Sequence, residues 1–225
     1  GQGRDISLQQ VVNKASVSHP IVSAGFVGEA MGKVEIVRSY NTGSIMSDQM
    51  AASFLGLIHE VTASDRVLVD QSYSSGEVTA LSSNGFFGNI YDNMGTVTLQ
   101  RSFTTSNTLY AIASIGQSTV MVQQSYAVSS LAIGQGTTTG SFSAIDFATL
   151  ANKTFLETTL GYASFVDEEH LALDPSCVFV YENGALPILY FDDLLNPVAT
   201  IHVGSYSFQN LSFDLDTVEF TSPIT

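Results

Sequence analysis

Cysteine, basic residues and charge in general are scarce in this 225-residue sequence. Its one cysteine, Cys177, has no partner for an intrachain disulfide and no second thiolate for a cysteine metal cluster. Charged residues make up 12% of the chain, and 21 acidic residues against 7 basic ones give a formal net charge of −14. Because such a chain repels phosphate groups, we expect no nucleic-acid partner and no attraction to anionic membrane surfaces.

Long apolar runs are missing as well. No stretch of about 18 apolar residues occurs, so the sequence predicts no membrane-spanning helix and no membrane insertion of this segment. Hydrophobic residues nevertheless make up 44% of the chain and aromatic residues 10%, which is enough for a buried core and argues against intrinsic disorder. The length favours one large domain or one domain with an appendage.

A seven-residue motif recurs through the first half of the chain. Its first and third positions are apolar in every copy, the residue between them is mostly polar, and the seventh is aromatic in all copies but the first. Alternation of this kind predicts short β-strands rather than helices. The copies are Ile6–Val12, Val34–Tyr40, Val67–Tyr73, Val97–Phe103 and Val120–Tyr126.

Strands this short cannot bury an apolar face alone, but stacked copies can. We therefore predict an all-β fold, a parallel β-helix (β-solenoid) of about five coils, with successive strands about 4.8 Å apart. Residues at equivalent positions would pile up as columns in its interior. The predicted columns are Ile6, Val34, Val67, Val97 and Val120; Leu8, Ile36, Val69, Leu99 and Val122; and Val12, Tyr40, Tyr73, Phe103 and Tyr126.

The fifth position of every copy is polar, which interrupts the inward-facing pattern. We predict a bend there and a second short strand that begins at the aromatic residue. The sixth position carries serine in four copies, and no Gly-x-Ser-x-Gly elbow surrounds any of them, so a hydrogen-bonded ladder is favoured over a nucleophile. These residues are Gln10, Arg38, Gln71, Arg101 and Gln124 at the fifth position, and Ser39, Ser72, Ser102 and Ser125 at the sixth.

At these repeats the sequence resembles the GLUG-motif family of bacterial surface proteins. The likeness is carried by Gly25-Phe26-Val27-Gly28 followed by the segment 37–45, and by Gly85-Phe86-Phe87-Gly88 followed by Ser102-Phe103. It covers about residues 6–145. The resemblance implies a β-solenoid within a large, exported, adhesin-like protein.

After the repeats the sequence changes character, and we divide the chain into a repeat region (1–145), a capping block (146–191) and a C-terminal β extension (192–225). In the block we expect one short helix capped by Asp146 and another from Thr154 to Leu160 that ends at Gly161. The resemblance implies that Asn183–Leu189 closes the repeat run. We expect the block to cover the open end of the solenoid, where strand edges would otherwise be unpaired.

Acidic residues on the outer sheet are the candidates for catalysis, because β-helix polysaccharide lyases and hydrolases place carboxylates or a basic residue there. They are Glu35, Asp65 and Asp70, with Arg38 and Arg101. Glu35 and Asp70 do not share a repeat position, and neither has a second cluster beside it. We therefore predict no catalytic residue.

No metal or cofactor site is predicted either. The histidines lack the spacing of zinc ligands, and the acidic segment 167–170 lacks the alternating pattern of calcium loops. Gly134-Gln135-Gly136 has no strand-to-helix context that would indicate a nucleotide site. The four histidines are His19, His59, His170 and His202.

These observations together predict a non-enzymatic, adhesin-like or structural repeat protein, secreted or at the cell surface. Its expected partners are glycans, host or matrix proteins, or further copies of itself. Two alternatives stay open at this point: a carbohydrate-active β-helix enzyme, and a component of a structural fibre.

Overall fold

The structure is a computed structural model, and it describes residues 2–3, 5–59, 61–62, 64–91, 95–116, 118–128, 132–181, 183–193, 199–203 and 206–211. These residues form a mostly-β protein with parallel sheets, short helices near residues 147–193 and an antiparallel strand pair after residue 198. We call the described part of residues 2–144 the repeat stack and that of residues 146–193 the C-terminal block.

The strands of the repeat stack are short and numerous. In chain order they are β1 Gln2–Gly3, β2 Ile6–Gln9, β3 Val12–Asn13, β4 Val17–Ser18, β5 Val22–Ala24, β6 Val27–Met31, β7 Val34–Val37, β8 Tyr40–Asn41, β9 Ile45–Met46, β10 Met50–Ala52, β11 Leu55–His59, β12 Arg66–Asp70, β13 Tyr73–Ser74, β14 Val78–Thr79, β15 Ser82–Ile90, β16 Thr96–Gln100, β17 Phe103–Thr104, β18 Tyr110–Ile115, β19 Thr119–Gln123, β20 Ser125–Ala127, β21 Ala132–Gln135 and β22 Phe142–Ala144.

The first half of each repeat lies in one five-stranded parallel sheet, in the order β19-β16-β12-β7-β2. Val67 pairs with Val34 on one side and Val97 on the other, and the neighbouring pairs continue in the same register. Val69 is likewise fully buried between Ile36 and Leu99. The two columns predicted at the first and third positions are therefore confirmed. Each side chain so buried stabilises the fold by about 1.5–3 kcal/mol.

A residue with a left-handed backbone conformation bends the chain at the fifth position of every copy, and a bend at this position was predicted. The φ angles of Gln10, Arg38, Gln71, Arg101 and Gln124 are 55°, 49°, 46°, 48° and 46°. The serine that follows the bend closes it. For example, Ser39 Oγ donates to the Val37 carbonyl at 2.9 Å and accepts from the Val11 amide at 3.0 Å. The same bonds recur at later copies, so the predicted serine ladder is confirmed.

The aromatic column stacks in register in a second parallel sheet, in the order β22-β20-β17-β13-β8-β3. The rings of Tyr40 and Tyr73 lie 5.0 Å apart, and those of Tyr73 and Phe103 lie 4.8 Å apart. These rings are buried, but they pack against the C-terminal block and not among the valine columns. The prediction that they share the solenoid interior is wrong, because the left-handed residue reverses which face the next side chains occupy.

Phenylalanines of the two Gly-x-x-Gly elements and of the equivalent segment Ser53-Phe54-Leu55-Gly56 supply the aromatic rings of the main core instead. The ring of Phe54 stacks on that of Phe26 at 5.7 Å and on that of Phe86 at 5.8 Å. Close backbone approach requires the last glycine in two of these segments: a Cβ on Gly56 would lie 2.6 Å from the carbonyl oxygen of Gly28, and a Cβ on Gly88 would lie 2.1 Å from that of Gly56. These elements lie in the sheet whose path is β1-β6-β11-β15-β10-β5, with β18 and β21 joined to it.

A reduced turn of chain, residues 132–144, covers the end of the stack that follows the last copy. Strand β21 pairs with β18 and β22 pairs with β20. Between them, the Thr139 amide donates to the Val120 carbonyl at 2.8 Å. The ring of Phe142 stacks on Phe86 at 5.0 Å and closes the main core.

The C-terminal block combines short helices with one hairpin. Asp146 caps the first helix by accepting from the Thr149 amide at 2.8 Å, and Asn152 caps the second by accepting from the Phe155 amide at 3.0 Å. Gly161 follows with φ +67°, as expected at a helix end. The elements are α1 Phe147–Leu150, α2 Lys153–Thr158, α3 Glu168–Leu173, the antiparallel strands β23 Phe179–Val180 and β24 Ile188–Leu189, and α4 Tyr190–Asp193.

The block lies along the flank of the stack and not over its end. Its apolar residues Leu156, Tyr162 and Val178 form one cluster with Tyr73 and Phe103 of the aromatic column. The prediction of an end cap is therefore wrong: the end is covered by residues 132–144, and the block covers the row of rings that the bends turn outward.

Beyond the block, strands β25 Ala199–Val203 and β26 Tyr206–Leu211 pair antiparallel. Residues 199–203 and 206–211 of the predicted C-terminal β extension are thus strands. The part of that extension after residue 211 lies outside the described residues.

Candidate functional site

The candidate carboxylate of Glu35 lies on β7 and is held by two cations. Its oxygens lie 2.8 Å from Arg66 Nη2 and 3.4 Å from Lys33 Nζ. The hydrogen bond from Arg66 is the main reason that the pKa of Glu35 lies below its usual value. A carboxylate so paired is a poor proton acceptor or donor near neutral pH.

The candidate Asp70 is paired with the candidate Arg101 at the edge of the C-terminal block. Arg101 Nε donates to Asp70 Oδ1 at 2.8 Å, and a second bond makes the pair bidentate. Beside it, the Gln71 side chain donates to the carbonyl of Gly161. The bond from Gln71 joins the stack to the block, whereas the pair of Asp70 and Arg101 joins two neighbouring repeats of the stack.

The other two candidates lie elsewhere. Asp65 accepts from the amide and the hydroxyl of Thr62, at 3.0 and 2.7 Å, and so closes a surface turn. Arg38 Nη1 donates to the carbonyl of Pro175 at 3.4 Å. The five candidates are therefore distributed over ion pairs, a turn and the block contact, and no two carboxylates among them share one open groove.

The histidines occupy separate environments. Nε2 of His59 lies 2.5 Å from Glu29 Oε1, and Nδ1 of His19 accepts from the Ile21 amide at 3.3 Å. His202 lies on β25. Over the described part of the chain, no group of three or more His, Cys, Asp or Glu residues could hold a metal ion.

The acidic segment 167–170 begins helix α3. Asp167 caps this helix by accepting from the His170 amide at 2.6 Å. Nε2 of His170 lies 3.2 Å from Cys177 Sγ. The thiol is buried, and burial is the largest cause of its raised pKa, so Cys177 is not an activated nucleophile. The glycines of segment 134–136 belong to β21 and the turn after it, where Gly136 has φ +94°.

A groove that the sequence analysis missed lies where the fourth repeat takes a short cut. In the third repeat, residues 77–82 separate Gly76 from Ser83. In the fourth, Ser106 lies over Gly76, with Oγ donating to its carbonyl at 2.6 Å, and Leu109 donates to the Ser83 carbonyl at 3.0 Å. Residues 107 and 108 of the fourth repeat thus take the place of the six residues 77–82 of the third. The signal was the close spacing of the last two motif copies and the missing Gly-x-x-Gly element between them.

This short cut leaves β14 at the side of its sheet, whose order is β14-β9-β4. Among the described residues no strand pairs with its outer edge. The space beside it, which we call the β14 groove, has a volume of about 570 Å³. Its walls include Val78, Thr79, Ser106, Thr108 and Leu109.

Glu77 is the ionisable residue of the groove lining, which otherwise consists of serine, threonine, asparagine, glycine and aliphatic residues. Leu109 on the wall is 57% exposed. The groove therefore offers hydroxyl groups, one negative charge and one exposed leucine.

Comparison with known proteins brings no relative: no protein-family model, no curated protein and no solved structure matches this chain. None of the helices in the described part of the chain is long and apolar enough to cross a membrane.

Proposed function

We propose that this chain is a β-solenoid repeat protein with a non-enzymatic, adhesive or structural role, secreted or at the cell surface. The observation that carries the proposal is the register of the five-stranded sheet, in which each repeat lays its apolar residues on those of the repeat before it. A stack of this kind is a stiff scaffold, and departures from the repeat, such as the β14 groove, are local surfaces for binding.

The state of the candidate carboxylates also favours a non-enzymatic role. Glu35 and Asp70 each accept hydrogen bonds from an arginine. Acid–base cleavage of a glycoside needs two carboxyl groups that flank one bond. The likeness to GLUG-motif repeats adds the expectation of an exported protein with glycans, host or matrix proteins, or copies of itself as partners.

Retention on immobilised ligands tests the adhesive role. The purified chain is coupled to beads, and retention is measured on surfaces coated with glycans, with matrix proteins or with the chain itself. A matched control carries Val69→Asp, which destroys the stack. We expect retention on at least one surface and its loss in the control; no retention on any surface would refute adhesion.

The same preparation tests the fold and the enzymatic alternative. We expect small-angle scattering to give a compact folded particle, because six strands about 4.8 Å apart span only about 25 Å along the stack. Incubation with acidic polysaccharides should release no new chain ends. Turnover that disappears in Glu35→Gln would replace the adhesive proposal with a carbohydrate-active one.

A further inference from the structure

We propose that the β14 groove binds an extended cationic segment of a partner protein, which adds as a strand along the outer edge of β14. The inference deepens the adhesive function proposed above and rests on it. It names the partner chemistry: a peptide with basic and apolar residues in alternation.

The backbone of β14 is the first support. In a parallel pair, a strand uses alternate residues to bond the neighbour on each side. The carbonyls of Glu77 and Thr79 accept from the amides of Ile45 and Ser47 in the strand below, at 2.8 and 3.0 Å. The amide and carbonyl of Val78 are thus directed to the groove side. An added strand supplies hydrogen bonds there, as in strand addition at other sheet edges.

The length of the gap is the second support. The short cut omits four residues relative to the preceding repeat, which is the length of a short strand at about 3.3 Å per residue. The fourth repeat pairs with the third on both sides of the gap, through Phe103 over Tyr73 and Ile112 beside Phe87, with one irregularity of register between Asn84 and Phe87. The groove is therefore a strand-sized gap bounded by ordered structure.

Charge selects a cationic occupant. Glu77 lies in the groove lining and is exposed. Each basic residue whose side chain the structure describes contacts a partner elsewhere. These contacts are Lys14 with Asp192, Lys33 and Arg66 with Glu35, Arg38 with Pro175, Arg101 with Asp70, and Lys153 with Glu157. A second copy of this chain, with a net charge of −14, would be repelled.

The exposed leucine of the groove wall defines the other half of the pattern. Successive side chains of a strand point to opposite faces. One set of partner side chains would approach Glu77, and the other would cover Leu109, which is 57% exposed. Alternating basic and apolar residues meet both requirements.

Peptide binding tests the inference directly. The probe is a fluorescein-labelled, eight-residue peptide of alternating lysine and valine, and binding is followed by fluorescence anisotropy. One control peptide replaces lysine with glutamate, and another carries N-methyl groups on alternate amides to block strand pairing. We expect the lysine peptide to bind at least tenfold more tightly than either control.

Two variants locate the site. Insertion of four residues copied from positions 77–80 between Asn107 and Thr108 restores the full turn of chain, and it should abolish peptide binding. Glu77→Lys should weaken binding about fivefold, the effect of one exposed charge pair. The matched control Glu169→Lys makes the same charge change on the exposed face of α3 and should leave binding unchanged.

Four outcomes of these experiments would contradict the inference or limit it. No binding of the lysine peptide, equal binding of the glutamate peptide, or unchanged binding in Glu77→Lys would each overturn the inference. Glu77→Lys keeps the test decisive if the insertion variant fails to fold, which circular dichroism reports. Bead retention that persists while the peptide does not bind would refute the groove proposal and leave the adhesive function standing.

Discussion

In the repeat stack a buried side chain packs on its counterpart one repeat away, whereas in the C-terminal block each buried side chain has a different neighbour. Val67 lies between Val34 and Val97, but Tyr162 packs between Phe103 and Phe179. The comparison shows two ways to build a core from short elements. The repeat stack repeats the same side-chain contact along its parallel strands. The C-terminal block packs short capped helices and a hairpin against the aromatic column of the stack.

The two regions depend on each other unequally. The main core of the stack contains no residue of the block, so we expect the stack to persist without the block. The core of the block includes Tyr40, Tyr73 and Phe103 of the stack. Five predictions follow in order of decreasing effect, and the first two of them test this asymmetry.

The largest effect is expected from Val69→Asp in the stack. An unpaired carboxylate in a fully buried column costs more than about 4 kcal/mol of unfolding free energy. Both regions should unfold, because the block loses its platform. Urea denaturation followed by circular dichroism measures the loss. The control is Thr96→Asp, at an exposed position of the neighbouring strand, and near-equal stability of the two variants would refute the inward assignment.

The reciprocal change is Val178→Asp in the block, at another fully buried position. We expect the block to detach while the stack keeps its strands, because the main core is untouched. Hydrogen exchange should show loss of protection over residues 147–193 and retained protection over the five-stranded sheet. Global unfolding in this variant would show that the stack needs the block.

Two tyrosines at the interface should respond in opposite directions. Tyr73 Oη donates to the carbonyl of Pro187 at 2.6 Å, so Tyr73→Phe should cost about 1 kcal/mol. The buried hydroxyl of Tyr162 has no hydrogen-bond partner within the described part of the chain, so Tyr162→Phe should be neutral or stabilise by about 1 kcal/mol. Thermal melting of both variants measures the difference, and equal losses would contradict the contact assignment.

A smaller effect separates two adjacent exposed glutamines of the stack. Gln124 has φ 46°, a left-handed backbone conformation that costs a non-glycine residue about 1 kcal/mol. Glycine at this position removes that cost, which offsets the loss of stability caused by the greater conformational freedom of glycine in the unfolded chain. Gln123 ends strand β19, where glycine should cost about 0.5–1 kcal/mol. Gln124→Gly should therefore melt above Gln123→Gly. The reverse order would show that the bend does not strain the backbone.

The smallest effect concerns acid stability. The pKa of Glu35 in the folded protein lies below its ordinary value. The ionised carboxylate therefore contributes to the free energy of unfolding above the unfolded pKa, and this contribution is lost as the pH falls through the folded pKa. Arg66 is about half exposed, so Arg66→Ala should remove only about 0.5 kcal/mol at neutral pH and nothing in strong acid. Denaturation at neutral and acidic pH measures this, and a loss independent of pH would point to lost packing instead.

Much of the repeat stack was predictable because it is periodic. Alternating apolar positions in Val67–Tyr73 and its counterparts define the strands, and their recurrence defines which residues pair. The polar fifth position located the bend, and Asp146 located a helix start. The β14 groove was not predicted, because it arises from residues that the fourth repeat lacks. A missing segment leaves no motif in the sequence.

The sequence by itself determined the strands, their parallel register and the two interior columns, since these follow from contacts that recur at equivalent positions. Tertiary structure alone decided that the rings of Tyr40, Tyr73 and Phe103 face outward, that the block covers them, and that no strand among the described residues pairs with the outer edge of β14. The physical reason is twofold. One residue of left-handed backbone conformation in each repeat sets the face on which the next side chains lie, and the block meets the stack through residues far apart in the chain, such as Gln71 with Gly161 and Tyr73 with Pro187.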